Sequence, residues 1–491
     1  MARGGKRPNA GRPRKDGPQN AAFEDARPSY DRSQVWIGTL DARKELTTGD
    51  RMELLKNARW AVSNHPYAAR VVRGIARFAV GTGLVPQAMT SDDTWNREAE
   101  RLFEDQCCTD PFAFDKSATV NFYEAQRLIL EQVACDGDFF SQLTTSADGR
   151  GMVRFISAES VGDATFQQEE GWHDGVKVNA DNRPILYRVL ADPSTTGGNY
   201  TDVPADDIQQ FRRLHRFGFL RGVSWLCSSV NRLQDWREAI TNELLSAKLN
   251  SKIALTIESE AAGSVGLGAK LVKRDGEGGE RQTFDQLGKG IITAQLRAGE
   301  KLASHSFDRP NANFEPFINF LAREIAWGVG VSPELIWTIA GVGGTATRYV
   351  LQDAECFFGE LRQMLEYQFC RRFWRYWVWH AVQRGDLKNP GLDWWRVNFI
   401  PPQRLTVDTG RDGKLRLDLV RSGLLSRKRY FNELGLDSDN ETDDIIRDAA
   451  RRKKRVQEIA VEEKIKLSEQ EVFPPAPGAA QVIVEEAMPE E

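Results

Sequence analysis

The chain has 491 residues, of which 41% are hydrophobic and 28% are charged. These fractions are typical of soluble globular proteins and argue against a membrane protein or a wholly disordered chain, and the length allows about three domains of ordinary size. The 66 Lys and Arg residues are offset by 70 Asp and Glu residues, giving a net charge of -4, so any contact with nucleic acid is expected to be local.

The residue types that build catalytic and metal sites do not occur at the spacings such sites require. The six cysteines include no Cys-x-x-Cys pair and the five histidines are scattered, so no zinc site is predicted. We interpret the cysteines as buried reduced thiols. Neither a Gly-x-Ser-x-Gly nor a His-Glu-x-x-His motif is present. Adjacent carboxylates such as Asp206-Asp207 are interpreted as solvated charge. We therefore expect no enzyme activity, no cofactor and no metal.

Residues 1–34 are rich in Gly, Pro, Arg and Asn and are predicted to form a disordered basic arm. Gly11-Arg12-Pro13-Arg14 is similar to hooks that insert Arg into the minor groove of DNA, although a plain solvated tail is the preferred interpretation. No apolar run follows the arm, so no secretory signal is predicted. The most apolar stretches further along are interrupted by charges or proline, so no membrane contact is expected.

Helical patterns dominate the first third of the chain. Asp50-x-x-Glu53 predicts a capping box that opens a helix. Pro66 separates this helix from a second, which ends at Gly81, and a third is predicted over 121–135. Short strands separated by turn signals follow. They are predicted at Phe139–Thr144, Val153–Ser157 and Ile185–Val189.

The remaining two thirds alternate between helices and short strands. Apolar spacing predicts helices over 222–250, 313–328, 403–435 and 441–470, and one long helix from about Ala346 to Arg384. The last of the shorter helices is highly charged and is interpreted as a solvated face, with a DNA-facing basic patch as the alternative. Strands are predicted at Lys252–Ile257, Lys270–Lys273, Ile291–Leu296, Lys301–His305 and Trp394–Ile400.

Two features beside the long helix have open interpretations. Gly341–Thr347 is predicted to be a pliable polar loop between helices, because no Gly-Lys-Ser/Thr follows and no strand precedes it, as a nucleotide-binding loop requires. Such a loop can touch a sugar-phosphate backbone and release it. The aromatic run that begins at Phe373 can be a base-stacking platform, but its helical spacing favours packing in a core or a subunit interface. It comprises Phe373, Trp374, Tyr376, Trp377 and Trp379.

An ordered set of motifs over residues 45–435 resembles the lambda-type phage portal proteins. The first piece is Asn57-Ala-Arg59 followed by Asn64-x-Pro-Tyr67 and Val80-Gly-x-Gly83. The second is Ile156-Ser-Ala-Glu-x-Val161, followed by Arg221-Gly-Val-Ser224. The strongest match runs from Gly299-Glu300 through Arg309-Pro-Asn and Phe314-x-x-Phe317 to Ile325-Ala-x-Gly328-x-Gly330-Val-Ser-Pro-Glu-Leu335. The Arg-Pro-Arg of the N-terminal arm departs from the pattern.

The resemblance implies an α+β portal-type fold and a ring oligomer, a dodecamer. Its parts would be a β-rich wing, a helical stem, a small αβ clip, a long wing helix and a helical C-terminal crown. They would occupy 1–34 (disordered basic arm), 35–221 (wing), 222–250 (stem helix), 251–311 (clip), 312–329 (second stem helix), 330–347 (tunnel loop), 348–401 (wing, with the long helix and a strand), 402–470 (crown) and 471–491 (disordered tail).

The resemblance also implies site residues and partners. The tunnel loop would contact double-stranded DNA through Val342, Gly343, Gly344, Thr345, Thr347 and Arg348. The clip would dock the packaging motor and the adaptor through Lys273, Arg274, Asp275, Glu277 and Glu280. Further partners would be the terminase large subunit, the major capsid and scaffolding proteins, and head-completion proteins. The protein would sit at one capsid vertex of the virion and, during assembly, in the host cytoplasm.

The resulting hypothesis is a structural portal of a tailed bacteriophage, through which DNA is packaged by the terminase and later ejected. The near-neutral charge fits a conduit, since each neutralised phosphate adds steeply to affinity and would hold the cargo back. The alternative is a metal-dependent nucleic-acid enzyme, a nuclease or polymerase subunit. That alternative requires carboxylates that converge on Mg²⁺, and no spacing in the sequence predicts such a set.

Overall fold

The computed structural model describes residues 41–163, 170–191, 199–252, 256–259, 285–287, 291–293, 300–303, 313–337, 343–389, 391–403 and 409–462. The predicted basic arm, the predicted C-terminal tail and the predicted strand Lys270–Lys273 lie outside these residues. The described part is a mixed structure of helices and short antiparallel strands. This agrees with the predicted α+β class.

Most of the described chain is helical. The α-helices are α1 Ala42–Glu45, α2 Thr48–Asn64, α3 Pro66–Val80, α4 Asp93–Phe103, α5 Pro111–Phe114, α6 Phe122–Asp136, α7 Val230–Lys252, α8 Phe314–Val329, α9 Pro333–Ile336, α10 Gly344–Leu365, α11 Arg371–Arg384, α12 Thr409–Arg421, α13 Arg427–Glu433 and α14 Ser438–Glu462. Two π-helical segments, Glu104–Thr109 and Glu366–Cys370, continue α4 and join α10 to α11.

The strands of the described residues form five small antiparallel sheets. The strands are β1 Val85–Ala88, β2 Asp138–Thr145, β3 Gly151–Ile156, β4 Trp172–His173, β5 Val176–Val178, β6 Pro184–Leu190, β7 Tyr200–Pro204, β8 Ile208–Arg212, β9 Thr256–Ser259, β10 Asp285–Leu287, β11 Ile291–Thr293, β12 Glu300–Ala303 and β13 Val397–Ile400. The sheet orders are β1-β13, β3-β2-β8, β4-β5-β6-β7, β10-β11 and β12-β9.

The first two long helices form as the pattern predicts, but the predicted cap is wrong. Helix α2 begins after Thr47, whose side chain accepts the backbone N–H of Asp50, so Asp50 lies inside the first turn and is not the cap. His65 ends α2 and also caps α3, where its Nδ1 accepts the N–H of Tyr67. His65 therefore occupies the turn between the two helices. Gly81 ends α3 with a φ of 57°, as predicted.

The middle of the chain confirms the predicted strands and corrects one helix. Strands β2, β3 and β6 cover the three predicted segments, and Asn121 with Glu124 forms a reciprocal capping box that starts α6. The prediction missed β4, β5, β7 and β8. The helix predicted over 222–250 begins only at Val230, because residues 222–229 form turns that hold Gly222 and Ser224 in other contacts. The strand predicted from Lys252 begins at Thr256, since Lys252 still belongs to α7.

The region predicted to be a β-rich wing is helical in its first half. Between Ala42 and Asp136 the described elements are α1 to α6, one π segment and the short strand β1. Strand β1 pairs with β13, which lies more than three hundred residues later in the chain. Helix α4 and its π extension were not predicted. Trp95, Phe103 and Cys107 of that segment are buried in the main core.

The long helix predicted from Ala346 to Arg384 is present as α10, the π segment Glu366–Cys370 and α11 in succession. Its aromatic half is buried by the same chain: Phe369, Phe373, Trp374 and Trp377 are at most 2% exposed. They pack against α4, α5 and α6 through rings that include Phe103, Phe114 and Phe122. Core packing is therefore confirmed for Phe373, Trp374 and Trp377 of the aromatic run, whereas Tyr376 is half-buried and Trp379 is exposed. Other rings of the same helical succession remain exposed: Tyr349 by 75%, Tyr367 by 60% and Trp379 by 50%.

The C-terminal helices contact the rest of the molecule at β1. The amide of the buried Gln87 donates to Asp437 (3.0 Å) and accepts from Asn432 (3.2 Å). The nearby Glu100 carboxylate of α4 accepts the N–H of Ala88 at 2.6 Å. Burial is the main cause that raises the pKa of Glu100 from 4.5 to about 7; the charges of Asp437 and Asp439 act in the same direction, and the Ala88 hydrogen bond and Lys428 oppose them.

We expect this carboxyl group to make stability depend on pH near neutrality. An unfolded Glu is ionised above about pH 5, whereas folded Glu100 keeps its proton up to about pH 7, so the stability contributed by the neutral form is lost as pH rises through 7. Glu100→Gln should therefore gain about 1–2 kcal/mol over the native protein between pH 5 and 8, after allowance for solvent screening. Thermal midpoints across this range measure the difference. A constant difference at all pH values, or the same trend in the exposed Glu98→Gln control, would contradict it.

The cysteines were expected to be buried reduced thiols. Cys107, Cys108, Cys135 and Cys370 are buried and Cys227 is half-buried, as predicted, but Cys356 on α10 is exposed. All six are free thiols.

Within the described ranges, none of the helices combines the length and apolarity needed to cross a bilayer.

Candidate functional site

Three of the motifs that carry the family resemblance meet at one buried ionic junction. Arg221, 4% exposed, directs its guanidinium at Asp138, with N–O distances of 2.6 and 3.1 Å. The same guanidinium donates to the carbonyl oxygens of Ala158 (3.0 Å), Val161 (2.7 Å) and Asp174 (2.7 Å). The Arg221 side chain therefore connects the segment after β8 to β2, to the turn at Ala158–Val161 and to the turn at Asp174. We call this group the arginine junction.

Two further arginines from α2 complete the arginine junction. Arg59 holds Asp136 with two bonds of 2.9 and 2.7 Å and Glu159 with one of 2.6 Å. Arg51, which is buried, pairs with Asp174. The motif residues Arg59, Glu159 and Arg221 thus lie within one network, although they are far apart in sequence. Helix α2 is attached through this network to α6, to β2 and to the turn before β5.

The electrostatics of the junction are mutually dependent. Burial works against ionisation of Asp174, but Arg221 and Arg51 hold the pKa of that carboxyl below its usual value. Burial likewise disfavours the charge on Arg221, yet Asp138 and Asp174 raise its pKa above the ordinary value. Each charge in the junction is therefore stabilised by the opposite charges. Removal of one partner leaves a buried charge without compensation.

Two glycines allow the backbones of the junction to touch. Gly137, at a φ of 95°, ends α6, and Gly222 follows Arg221. A Cβ on Gly222 would lie 2.5 Å from the carbonyl carbon of Gly137, and a Cβ on Gly137 would lie 2.6 Å from the nitrogen of Ser224. Real Cβ atoms do not approach so closely. The glycine of the Arg221-Gly-Val-Ser224 motif is thus required by this close approach.

The strongest motif, around Gly328 and Gly330, lies where α7 and α8 meet. Ser229 at the start of α7 donates to the carbonyl of Ile325, and Ser228 donates to that of Gly328, each at 3.3 Å. A side chain on Gly328 would collide with both hydroxyl groups. Gly330 is left-handed, with a φ of 91°, and ends α8. The motif therefore fixes where α7 and α8, the two predicted stem helices, cross and where α8 ends.

An aromatic cluster holds Trp337, which with helix α9 lies inside the segment 330–347 that was predicted to be the tunnel loop. The rings of Tyr67, Trp236 and Trp337 lie 4.8 to 5.6 Å apart, and His65 packs edge-on against Trp236. The Tyr67 hydroxyl donates to the Ala322 carbonyl at 2.8 Å. The Trp337 indole donates to Asn319 at 2.7 Å. Tyr67 of the Asn64-x-Pro-Tyr67 motif thus joins α3 to α7, α8 and α9.

The predicted DNA-contacting residues lie at the start of α10. Val342 is outside the described residues; Gly343 is the N-cap, and Gly344, Thr345, Thr347 and Arg348 are in the first helical turns. The helix therefore begins two residues before the predicted Ala346, and the predicted loop is shorter at this end. The Gly343 cap uses no side chain, the first turn carries no acid, and no atom lies within 4 Å of a Cβ placed on Gly343 or Gly344.

The start of α10 thus has no side-chain cap, and a Cβ on either of its two glycines would meet open space. The first N–H groups of a helix lack intrahelical acceptors, and the helix dipole makes this end favourable for anions. Gly344, Thr345 and Arg348 are exposed. The predicted clip residues Lys273, Arg274, Asp275, Glu277 and Glu280 lie outside the described residues.

Helices α7 and α8 expose apolar side chains whose exposure the sequence analysis did not predict. Phe317, Phe320 and Trp327 of α8 are 50%, 56% and 62% exposed. Their spacing places them on one face of the helix. Ile240 and Leu244 of α7, four residues apart, are also exposed. The position of these residues outside the intramolecular core is visible only when the fold is known.

A metal centre finds no support in this part of the chain. Among the described residues, no group of three or more His, Cys, Asp or Glu side chains could hold an ion. The paired Asp206-Asp207 is exposed on the turn between β7 and β8. It has the solvated position that the sequence predicted.

Comparison with known proteins identifies the family. A family model described as phage portal protein, lambda family, matches residues 30–341, more than half of the chain. One similar solved structure is described as the neck of a native GTA particle computed with C12 symmetry; it is 17% identical, with 79% of this chain and 93% of that chain covered and a TM-score of 0.46. An HK97-family phage portal protein from Corynebacterium diphtheriae is 14% identical, with 63% and 88% covered and a TM-score of 0.34. No curated protein matches the chain.

The family match defines a structural protein of the phage head, a portal. The chain belongs to the lambda family of phage portal proteins. The resemblance inferred from the motifs is confirmed, and so is the predicted role as a phage head-to-tail connector. The enzyme alternative is not favoured.

Proposed function

We propose that copies of this chain stand side by side in a ring, a dodecamer, at one capsid vertex, and that double-stranded DNA passes through the open axis. The observation that carries this proposal is the exposed aromatic face of α8, formed by Phe317, Phe320 and Trp327. Contiguous apolar surface on a soluble protein is typical of an interaction site. In a ring, the neighbouring copy would cover it.

The division of the chain follows from this proposal. Residues 35–221 and 348–401 would form the wing, 222–250 and 312–329 the stem, 251–311 the clip, 330–347 the tunnel loop and 402–470 the crown. The arginine junction supports this division because it fixes α2, β2 and the segment before α7 to each other. It would make the wing and the upper stem one rigid unit.

DNA contact is assigned to Val342, Gly343, Gly344, Thr345, Thr347 and Arg348. The open, uncapped start of α10 supports it, since backbone N–H groups and one exposed Arg can meet a phosphate without a strong cationic grip. Each neutralised phosphate adds steeply to affinity, so a channel that must release DNA needs few such contacts per subunit. Repetition around the ring would still resist slippage by multivalency.

The remaining partners follow from the portal role. We propose that Lys273, Arg274, Asp275, Glu277 and Glu280 dock the terminase large subunit during packaging and the adaptor proteins afterwards. The portal itself would be non-enzymatic and would contact the major capsid and scaffolding proteins during assembly in the host cytoplasm. Incubation of the purified protein with Mg²⁺ and duplex DNA tests the non-enzymatic role, because cleavage of the DNA would contradict that role.

We expect substitution of the exposed stem face to abolish the ring. Phe320→Ser/Trp327→Ser removes two large apolar contacts from each interface while leaving the intramolecular core intact, since both side chains are more than half exposed. Negative-stain microscopy and light scattering should then show monomers in place of rings. The control Phe112→Ser removes a ring that is 74% exposed on α5 and should assemble normally. Rings formed equally by both variants would contradict the proposed interface.

We expect bulky residues at the start of α10 to block packaging without disturbing assembly. Gly343→Leu/Gly344→Leu places side chains in open space, so folding and ring formation should be unchanged. The side chains would narrow the proposed channel once per subunit, and packaged, nuclease-resistant DNA should fall by about tenfold or more in phage made with the variant. Gly410→Leu in α12, also in open space, is the matched control. Unchanged packaging by the double variant would remove the DNA-contact assignment.

A further inference from the structure

A cavity of about 350 Å³ lies where strands β6 and β8 meet the start of α11. Three arginines and one acid line it: Arg183, Arg212, Arg372 and Asp206. Much of the remaining wall is apolar, with Pro184, Tyr187, Ile208 and Leu214. The lining therefore combines an excess of positive charge with surface suited to a hydrophobic side chain.

The π segment Glu366–Cys370 helps to build this cavity. It directs Gln368 at the backbone of Arg212, where the Gln368 amide accepts from the N–H and donates to the C=O, each at 3.0 Å. Arg372 follows one turn later and reaches the Asp206 carbonyl at 3.2 Å. π-Bulges inside α-helices are frequent at functional sites. Hydrogen bonds thus fix the relative position of the strand and the helix that carry the two guanidinium groups.

Among the described residues, neither Arg212 nor Arg372 forms an ion pair with a carboxylate, although the charge of Asp138 favours the ionised form of Arg212 and that of Asp206 favours the ionised form of Arg372. Arg212 donates to the Phe219 carbonyl at 2.8 Å, and within the part of the chain that the structure describes no carboxylate pairs with either guanidinium. Burial lowers the pKa of both groups. By contrast, the buried arginines of the described residues are each paired with a carboxylate, namely Arg51, Arg188, Arg221 and Arg362.

We propose that this cavity binds a carboxylate side chain of a partner protein, held between Arg212 and Arg372, with an adjacent apolar residue against Tyr187 and Leu214. Partly desolvated guanidinium groups recognise carboxylates by short, charge-assisted hydrogen bonds. The cavity is too small for a DNA duplex, and its apolar wall has no counterpart in a phosphate backbone. The ligand is thus an acidic protein segment with Asp or Glu next to a hydrophobic residue.

The test is the affinity of the full-length protein for a fluorescent heptapeptide of alternating Glu and Leu with blocked ends, measured by anisotropy. We expect the native protein to bind it, and Arg212→Gln/Arg372→Gln to weaken binding by about tenfold or more. Arg372→Lys, which keeps the charge but loses the fork, should lie between the two. The control Arg451→Gln alters an exposed arginine on α14 and should bind like the native protein. Circular dichroism establishes that each variant is folded.

Three results would overturn the proposal. The first is no measurable binding of the peptide by the native protein. The second is equal binding of a heptapeptide with Gln in place of Glu, because charge would then play no part. The third is displacement of the peptide by a short DNA duplex but not by unlabelled peptide, which would assign the arginines to phosphate.

Discussion

Arg221→Met should be among the most damaging single substitutions in this protein. The change removes both bonds to Asp138, which is fully buried, and the bonds to three carbonyl groups. The methionine fills a similar volume, so the loss is electrostatic: Asp138 is left buried without its cation, and Asp174 loses one of two. Breaking a buried ion pair from one side typically costs about 3–5 kcal/mol. The thermal midpoint should fall on the order of 10 °C, and soluble yield should fall with it.

Two companion variants separate charge from packing at this site. Arg221→Lys retains the charge but cannot reach Asp138 and the carbonyl groups together, so it should recover only part of the loss. Arg451→Met removes an arginine whose pairing with Asp448 is exposed, and such pairs contribute at most about 1 kcal/mol. If Arg221→Met unfolded at the temperature of the native protein, the arginine junction would have no structural role.

Gly222→Ala should destabilise the protein by at least about 3 kcal/mol, although only one methyl group is added. The new Cβ would lie 2.5 Å from the Gly137 carbonyl carbon and 2.9 Å from the Asp138 Cβ. The first obstacle is backbone and cannot rotate away. Separation of the two segments would also lengthen the bond from the Gly222 N–H to Asp138, now 3.1 Å. Thermal or urea unfolding measures the effect.

Gly359→Ala is the matched control for this glycine. Gly359 lies inside α10, and no atom lies within 4 Å of the position that a methyl group would take there, so the substitution should gain about 0.5–1 kcal/mol through helix propensity. The same Gly→Ala change is therefore expected to destabilise the protein at Gly222 and to stabilise it at Gly359. Equal effects would show that the close approach between Gly222 and Gly137 is not maintained in solution.

Local patterns predicted the elements that local forces decide. The strands β2, β3 and β6, the helices α3, α6 and α8, and the long helix up to Arg384 follow from apolar spacing and turn residues. The error at Asp50 has a local cause as well, because Thr47 three residues earlier is also a good cap and is the one used. Helix α7 starts late because residues 222–229 are committed to long-range contacts.

The long-range pairings could not be predicted from one sequence. Arg221 belongs to a motif, but its partner Asp138 lies 83 residues away, and nothing in the spacing connects the two. Strand β1 is only four residues long and gains its identity from β13. The aromatic helix shows the same limit: its spacing indicates burial, but the choice between its own chain and a neighbour depends on where α4 to α6 lie.

The candidate site was predicted through family resemblance more than through chemistry. Gly343, Gly344 and Arg348 were placed by their order after the Gly328-x-Gly330 motif, and the structure puts them at an open helix start. The cavity between β6, β8 and α11 carries no sequence signal, since Arg212 and Arg372 are 160 residues apart in the chain and typical of solvated charge. Among the described residues neither guanidinium forms an ion pair with a carboxylate, and only the fold shows this.

The π segment Glu366–Cys370 has one consequence for the whole helix. Such a segment corresponds to one extra residue in an α-helix, and each residue turns the helix by about 100°. The face that α10 presents at Gly344 is consequently out of phase with the face that α11 buries through Phe373 and Trp377. The buried aromatic face of α11 and the first turn of α10 can therefore point in different directions. The single inserted residue between them sets the angle.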